Sequence, residues 1–282
     1  MKGEKRYIML FGLIKTKDER KELLFLRAFI RGQYKVFLDK KLITHMLKKG
    51  FNIDIQGYYG NTLLHWALLS NNEEMVQYLL KNGANPSIQN RTRITPFYIA
   101  AQKGNVVAMD MMLKKEETKK EVMTNSYNWT TLHTAVRECW KEATKLLLRR
   151  GADINAKNAI GKTPLHIAAA KWHVGMLQEL LKNKPDLNVQ DANGNTPLHD
   201  AVSSNTVSIQ TIKMLLAKGA NPMIRNYAGL TPLQLAFHRQ KLQVAQVLSN
   251  AEQEYLEKDL PVTPTYAQPY HIARQYVECR SA

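Results

Sequence analysis

The sequence predicts an all-α solenoid: about six stacked helix pairs with hairpin fingers projecting from one side, preceded by an N-terminal cap. Three observations predict it. The eight-residue pattern Gly161-Lys162-Thr163-Pro164-Leu165-His166-Ile167-Ala168 returns, strictly or loosely, at 60–67, 93–100, 128–135, 194–201 and 229–236. Its threonines at 62, 95, 130, 163, 196 and 231 are separated by 33, 35, 33, 33 and 35 residues, a period that marks stacked supersecondary units. A second apolar stripe with helical spacing follows each pattern and has to be buried against a neighbour.

Each unit opens with a turn, where Gly60, Gly161, Gly194 and Gly229 supply the free φ of a tight hairpin tip. The threonine then caps a helix, its hydroxyl accepting an orphan N–H. Pro96, Pro164, Pro197 and Pro232 sit at the first helical position, where the missing N–H costs nothing. Leu, Ala and other small residues continue a short, closely packed helix. The second helix is read from Met75, Val76, Leu79 and Leu80, from Leu177, Leu180 and Leu181, and from Ile212, Leu215 and Leu216. Gly83, Gly151 and Gly219 are placed to end it with a left-handed cap.

Six such boxes, with Gly83-Ala84-Asn85, Gly151-Ala152-Asp153 and Gly219-Ala220-Asn221 in phase, resemble the ankyrin repeat family over roughly residues 28 to 250. The resemblance implies an elongated stack of helix pairs with projecting hairpins. It also implies that His65, His133, His166 and His199 each hydrogen-bond their own threonine and the neighbouring turn. The chain departs from the pattern at Tyr98 in place of His, at Arg93, Asn128 and Cys139 in place of Gly, and at Lys184-Pro185 in place of Gly-Ala, so local turn geometry is open at those positions.

Residues 1–57 read as a basic helical cap ending in a degenerate first repeat, 58–250 as six repeats, and 251–282 as the end of the last helix followed by a Pro- and Tyr-containing tail. That helix is expected to continue through Glu252 to Lys258. Terminal units are atypical because one face meets water. The apolar run at 8–14 is closed by Lys15-Thr16-Lys17 without a small-residue cleavage site, so neither a signal peptide nor a membrane span is expected. Cys139 and Cys279 lie far apart, the pattern of reduced thiols in a cytoplasmic protein. The net charge of +16 is uneven: residues 1–60 hold 14 basic and 6 acidic side chains, and 201–250 hold 5 basic and no acidic ones. A basic body attracts acidic partners.

No phosphate-binding loop, dinucleotide fingerprint, zinc-protease motif or nucleophile elbow occurs, so no enzyme and no cofactor are expected. The four box histidines occupy one repeat position and stand in a row about 8–10 Å apart. That is too far for shared metal ligation at about 2 Å.

What remains is surface, the concave face of hairpin tips and first helices. Projecting the repeat onto the chain puts Tyr58, Tyr59, Arg91, Arg93, Lys103, Tyr127, Trp129, Arg137, Trp140, Lys162, Lys171 and Trp172 on that face, in repeats 1 to 4. Aromatics and arginine are the residue types that carry interface hot spots. The expected partner of a monomer is therefore a protein of acidic or mixed charge. Nucleic acid or an anionic surface meeting the basic caps is the less favoured class, since no aromatic-interleaved platform is seen. The Lys/Asn/Ile-rich composition and the acidic cluster Glu252, Glu254 and Glu257 near the end are similar to ankyrin effectors delivered into host cells by type IV secretion. A eukaryotic or viral regulatory adaptor is the alternative.

Overall fold

The computed structural model describes residues 40–114, 128–171, 173–205 and 208–259. Most of the expected N-terminal cap, the tail from 260 onward, and Tyr127 and Trp172 of the expected binding set lie outside the described residues.

Among the described residues the chain is all helical. Lys40–Lys48 forms α1, and six helix pairs follow. They are α2 (Leu63–Leu69) with α3 (Glu73–Lys81), α4 (Pro96–Gln102) with α5 (Val106–Leu113), and α6 (Thr131–Arg137) with α7 (Lys141–Arg149). The series continues with α8 (Pro164–Ala170) and α9 (Val174–Lys182), α10 (Pro197–Ser203) and α11 (Ile209–Ala217), then α12 (Pro232–His238) and α13 (Leu242–Asp259). First helices pack on first helices and second on second, giving two layers with the apolar stripe of each pair turned into the space between them. α1 lies against α3, where Thr44 shares a 2.7 Å hydrogen bond with the Tyr78 hydroxyl.

The local chemistry of each unit explains its boundaries. Every box threonine is an extended N-cap whose hydroxyl accepts the N–H three residues on. In five of the six, the side chain at that third position returns the bond to the threonine N–H; Tyr98 is the exception. Seven-residue first helices are too short to stand alone, so their stability comes from packing of residues such as Leu64, Ala67, Leu132, Ala135, Leu165 and Leu198.

The departures from the glycine pattern leave the turns intact. Arg93 (φ 61°), Asn128 (54°), Cys139 (62°) and Lys184 (50°) all hold the left-handed conformation that glycine holds elsewhere. Pro185 then takes the buried seat that Ala84 and Ala220 fill in their repeats.

Candidate interaction surface

The fingers are built by side chains that the box does not contain. Five residues before the box threonine, Asn90, Asn158, Asp191 and Asn226 each turn Oδ1 into their own loop, where it accepts two backbone N–H groups. This is the turn-forming habit of Asn and Asp. One residue earlier, Gln56 donates to the carbonyls of Gly60 (2.7 Å) and Gln89 (2.9 Å), and Gln190 does the same to Gly194 (2.7 Å) and Arg225 (3.0 Å). Neighbouring tips are also joined by single backbone bonds, Arg91 N–H to Tyr59 O, Ala192 N–H to Ile160 O and Tyr227 N–H to Asn193 O.

Behind the fingers runs the histidine row. In each of His65, His133, His166 and His199, Nδ1 accepts the N–H of its own threonine. That leaves the proton on Nε2, which donates to a carbonyl of the next repeat: Ile94, Lys162, Asn195 and Leu230, at 2.8–3.0 Å. Both ring nitrogens are therefore engaged within the stack. Burial holds all four below the usual imidazole range, His65 and His166 at about 4. Among the described residues no group of three or more His, Cys, Asp or Glu side chains could hold a metal ion.

The residues singled out in the sequence fall into two strips. On the finger tips are Tyr58 (43% exposed), Tyr59 (52%), Arg91 and Arg93. Tyr59 and Gly60 both have positive φ and are spanned by the Asn61 N–H to Tyr58 O bond, the mark of a type I′ turn. An aromatic side chain is an unusual occupant of that position. The Tyr58 and Tyr59 rings meet edge to face, with centroids 4.2 Å apart. Lys162, at the corresponding edge of a later finger, is committed inside the stack. Its ammonium lies 2.6 Å from Asp200 and 3.6 Å from Asp191, two carboxylates almost wholly removed from solvent.

The second strip lies at the far end of the first helices, about 10 Å away at 1.5 Å of rise per residue. Lys103, Arg137, Trp140 and Lys171 are here. Trp140 lies over Gly104, where a Cβ would come within 2.5 Å of the indole, and donates Nε1–H to the Gln102 carbonyl at 3.1 Å. Lys171 reaches the Arg137 carbonyl in the same way. Trp129 joins the two strips, because the Arg137 guanidinium sits 5.0 Å from the centre of its ring.

A family profile described as "Ankyrin repeats (3 copies)" matches residues 82–158, 141–226 and 165–259, and "Ankyrin repeat" matches 59–91. The chain belongs to the ankyrin repeat family. The solved ankyrin repeat domain of Bcl-3, a member of the IkappaB protein family, is similar with a TM-score of 0.66 and 27% identity, covering 80% of this chain and 97% of that one. Human SH3 and multiple ankyrin repeat domains protein 2 is 29% identical over 236 residues, 83% of this chain and 10% of its own length. A putative ankyrin repeat protein of Rickettsia felis is 29% identical over 121 residues, 43% of this chain and 40% of the relative. In eight curated relatives the match spans between 7% and 40% of the relative's length.

Ankyrin repeats are protein–protein interaction modules, and ankyrin proteins are generally non-enzymatic scaffolds. Among the described residues no helix is long and apolar enough to cross a membrane. Sequence reasoning missed the donors that close the first helices α4, α6 and α10 from the following repeat. Besides Trp140 and Lys171, these are Arg239 to the Ser203 carbonyl, and Lys241 to those of Val202 (2.8 Å) and Ser204 (2.6 Å). A basic or N–H-bearing residue recurring eight or ten positions after the box threonine was the available signal.

Proposed function

We propose that this ankyrin stack grips a partner protein along the concave face of repeats 1 to 4. The observation that carries this reading is the pairing of exposed Tyr58 and Tyr59 with Arg91 and Arg93 on adjacent tips, continued along α6 by the Trp129–Arg137 stack. Aromatic and arginine side chains of this kind contribute most of the energy of protein interfaces. The test is retention of a discrete protein from cell lysate at physiological and at high salt. Tyr59→Asn, Arg93→Gly and Lys103→Ser combined are expected to cut retention at least tenfold without lowering the melting temperature. Unchanged retention removes the face from consideration. Retention of nucleic acid alone, lost with salt, would move function to the basic surface.

A second reading, that the chain is a bacterial effector acting on a host protein, is supported by the rickettsial relative. The acidic cluster lends it less support than its sequence suggested, because Glu252 is buried in α13 and burial pushes its carboxyl up. A translocation reporter fused to the chain tests it. Export that persists when residues 260–282 are removed would dissociate the effector reading from a terminal signal, and no export from an intracellular bacterium would overturn it.

A further inference from the structure

Most of the cations on the described finger tips are employed within the molecule. Lys157 donates to the Gln190 carbonyl, Lys162 pairs with Asp200, and Arg225 donates to the Gly229 carbonyl and to Gln234. Arg91 and Arg93 differ. Both are exposed, and neither guanidinium has a hydrogen-bond or carboxylate partner among the described residues. Across the described tips the single acidic side chain is Asp191, which is buried, so no described tip residue neutralises the pair. Arg93 also occupies a left-handed seat (φ 61°) that four other repeats give to glycine at φ 73–78°. A long charged side chain is thus kept where its backbone is disfavoured, and such outliers cluster at functional positions.

Building on the reading above, we propose that Arg91 and Arg93 form a carboxylate clamp, with Tyr58 and Tyr59 on the adjoining tip as its apolar seat, for an extended acidic segment of the partner protein. The guanidinium fork matches a carboxylate in two parallel hydrogen bonds, and the tyrosine pair offers a rigid apolar surface beside it. The spacing defines the ligand further. Successive repeats stand about 8–10 Å apart and an extended strand rises about 3.3 Å per residue, so a segment running along the stack crosses from one tip to the next in three residues. The partner signature is an apolar residue and a carboxylate three positions apart. A nucleic acid fits less well, because among the described tips the unpaired cations are confined to one finger and form no track along a phosphate backbone.

The probe is a series of blocked twelve-residue Gly/Ser peptides carrying one Phe and one Glu at separations of two to five residues, read by fluorescence anisotropy against the full-length chain. The separation of three is expected to bind best. Affinity is expected to fall at least tenfold when the peptide Glu is replaced by Gln, and equally when the protein carries Arg91→Gln with Arg93→Gln. Arg91→Lys with Arg93→Lys is expected to restore only part of it, because an ammonium cannot form the fork. Arg93→Gly separates function from folding, since it is expected to raise the melting temperature while weakening binding. Equal binding of Glu and Gln peptides, no binding by any member of the series, unchanged binding by the double Gln variant, or equal binding of a single-stranded oligonucleotide of matched charge would overturn the clamp. A lysate protein held equally by wild type and the double Gln variant would overturn the clamp and leave the interaction face standing. No retained protein at all would remove the face as well.

Discussion

At the scale of single residues, the left-handed seats and the half-buried Lys162 separate what could be read in advance from what could not. Glycine at four of the six box openings marks the seat, so Arg93 and Asn128 stand out in the sequence. Whether they keep its φ is decided by the hydrogen bonds of the whole finger. A side chain with Cβ in this conformation costs about 1 kcal/mol relative to glycine. Cys139→Gly and Lys184→Gly are therefore each expected to raise stability by about 0.5–1 kcal/mol in urea titration. Gly83→Ala, where the added Cβ would meet no atom within 4 Å, is expected to lower it by about 1 kcal/mol through backbone strain alone. Lys162 was the opposite case. Its position beside the box makes it look like a surface cation, but its partners lie 29 and 38 residues further on and only the stack brings them together. Lys162→Met leaves two carboxylates buried and unpaired and is expected to cost roughly 3 kcal/mol. Asp200→Asn in the same chain is expected to recover part of that, measured by chemical denaturation.

At the scale of the helix pair, the box histidines make pH a structural variable. Above pH 6.5 the imidazoles are neutral in both folded and unfolded chains and stability does not depend on them. As pH falls below 6.5 the unfolded chain takes up protons that the folded chain refuses, because burial depresses all four rings and Nδ1 already accepts a threonine N–H. Stability is lost over that interval until the folded rings titrate, near pH 4 for His65 and His166. Linkage makes this about 1.4 kcal/mol per pH unit for each ring, so roughly 3 kcal/mol for each of these two by pH 4. Urea midpoints between pH 7 and 4 test it. His166→Gln is expected to flatten the slope, because repeat 6 already uses Gln234, whose Oε1 accepts the Thr231 N–H at 3.0 Å. A slope unchanged by that substitution would assign the acid response to other groups. The helix pairs and their caps were legible because Thr, Pro and the apolar stripe act locally. The finger ties of Gln56 and Gln190 were not, since each needs a carbonyl of the next repeat in place.

At the scale of the molecule, forty basic side chains face twenty-four acidic ones, and the exposed ion pairs are few among the described residues. Self-repulsion then opposes the compact state, and raising ionic strength from about 10 mM to about 150 mM shortens its range from about 30 to about 8 Å. The melting temperature is expected to rise over that range; a fall would mean that surface pairs outweigh the net charge. The repeat count was legible at this scale because a solenoid repeats its sequence along with its structure. The division of the surface into a tip strip and a helix-end strip was not, because it depends on which cations the stack itself consumes. One further property follows from the direction of the bonds between repeats. Each box histidine finds its acceptor in the following repeat, and the carbonyls of Gln102, Arg137, Val202, Ser203 and Ser204, at or just past the ends of first helices, find their donors there too. A chain leaving the ribosome N-terminus first therefore completes each unit only when the next one emerges. Its growing end always carries one unfinished repeat, until α13 closes the series.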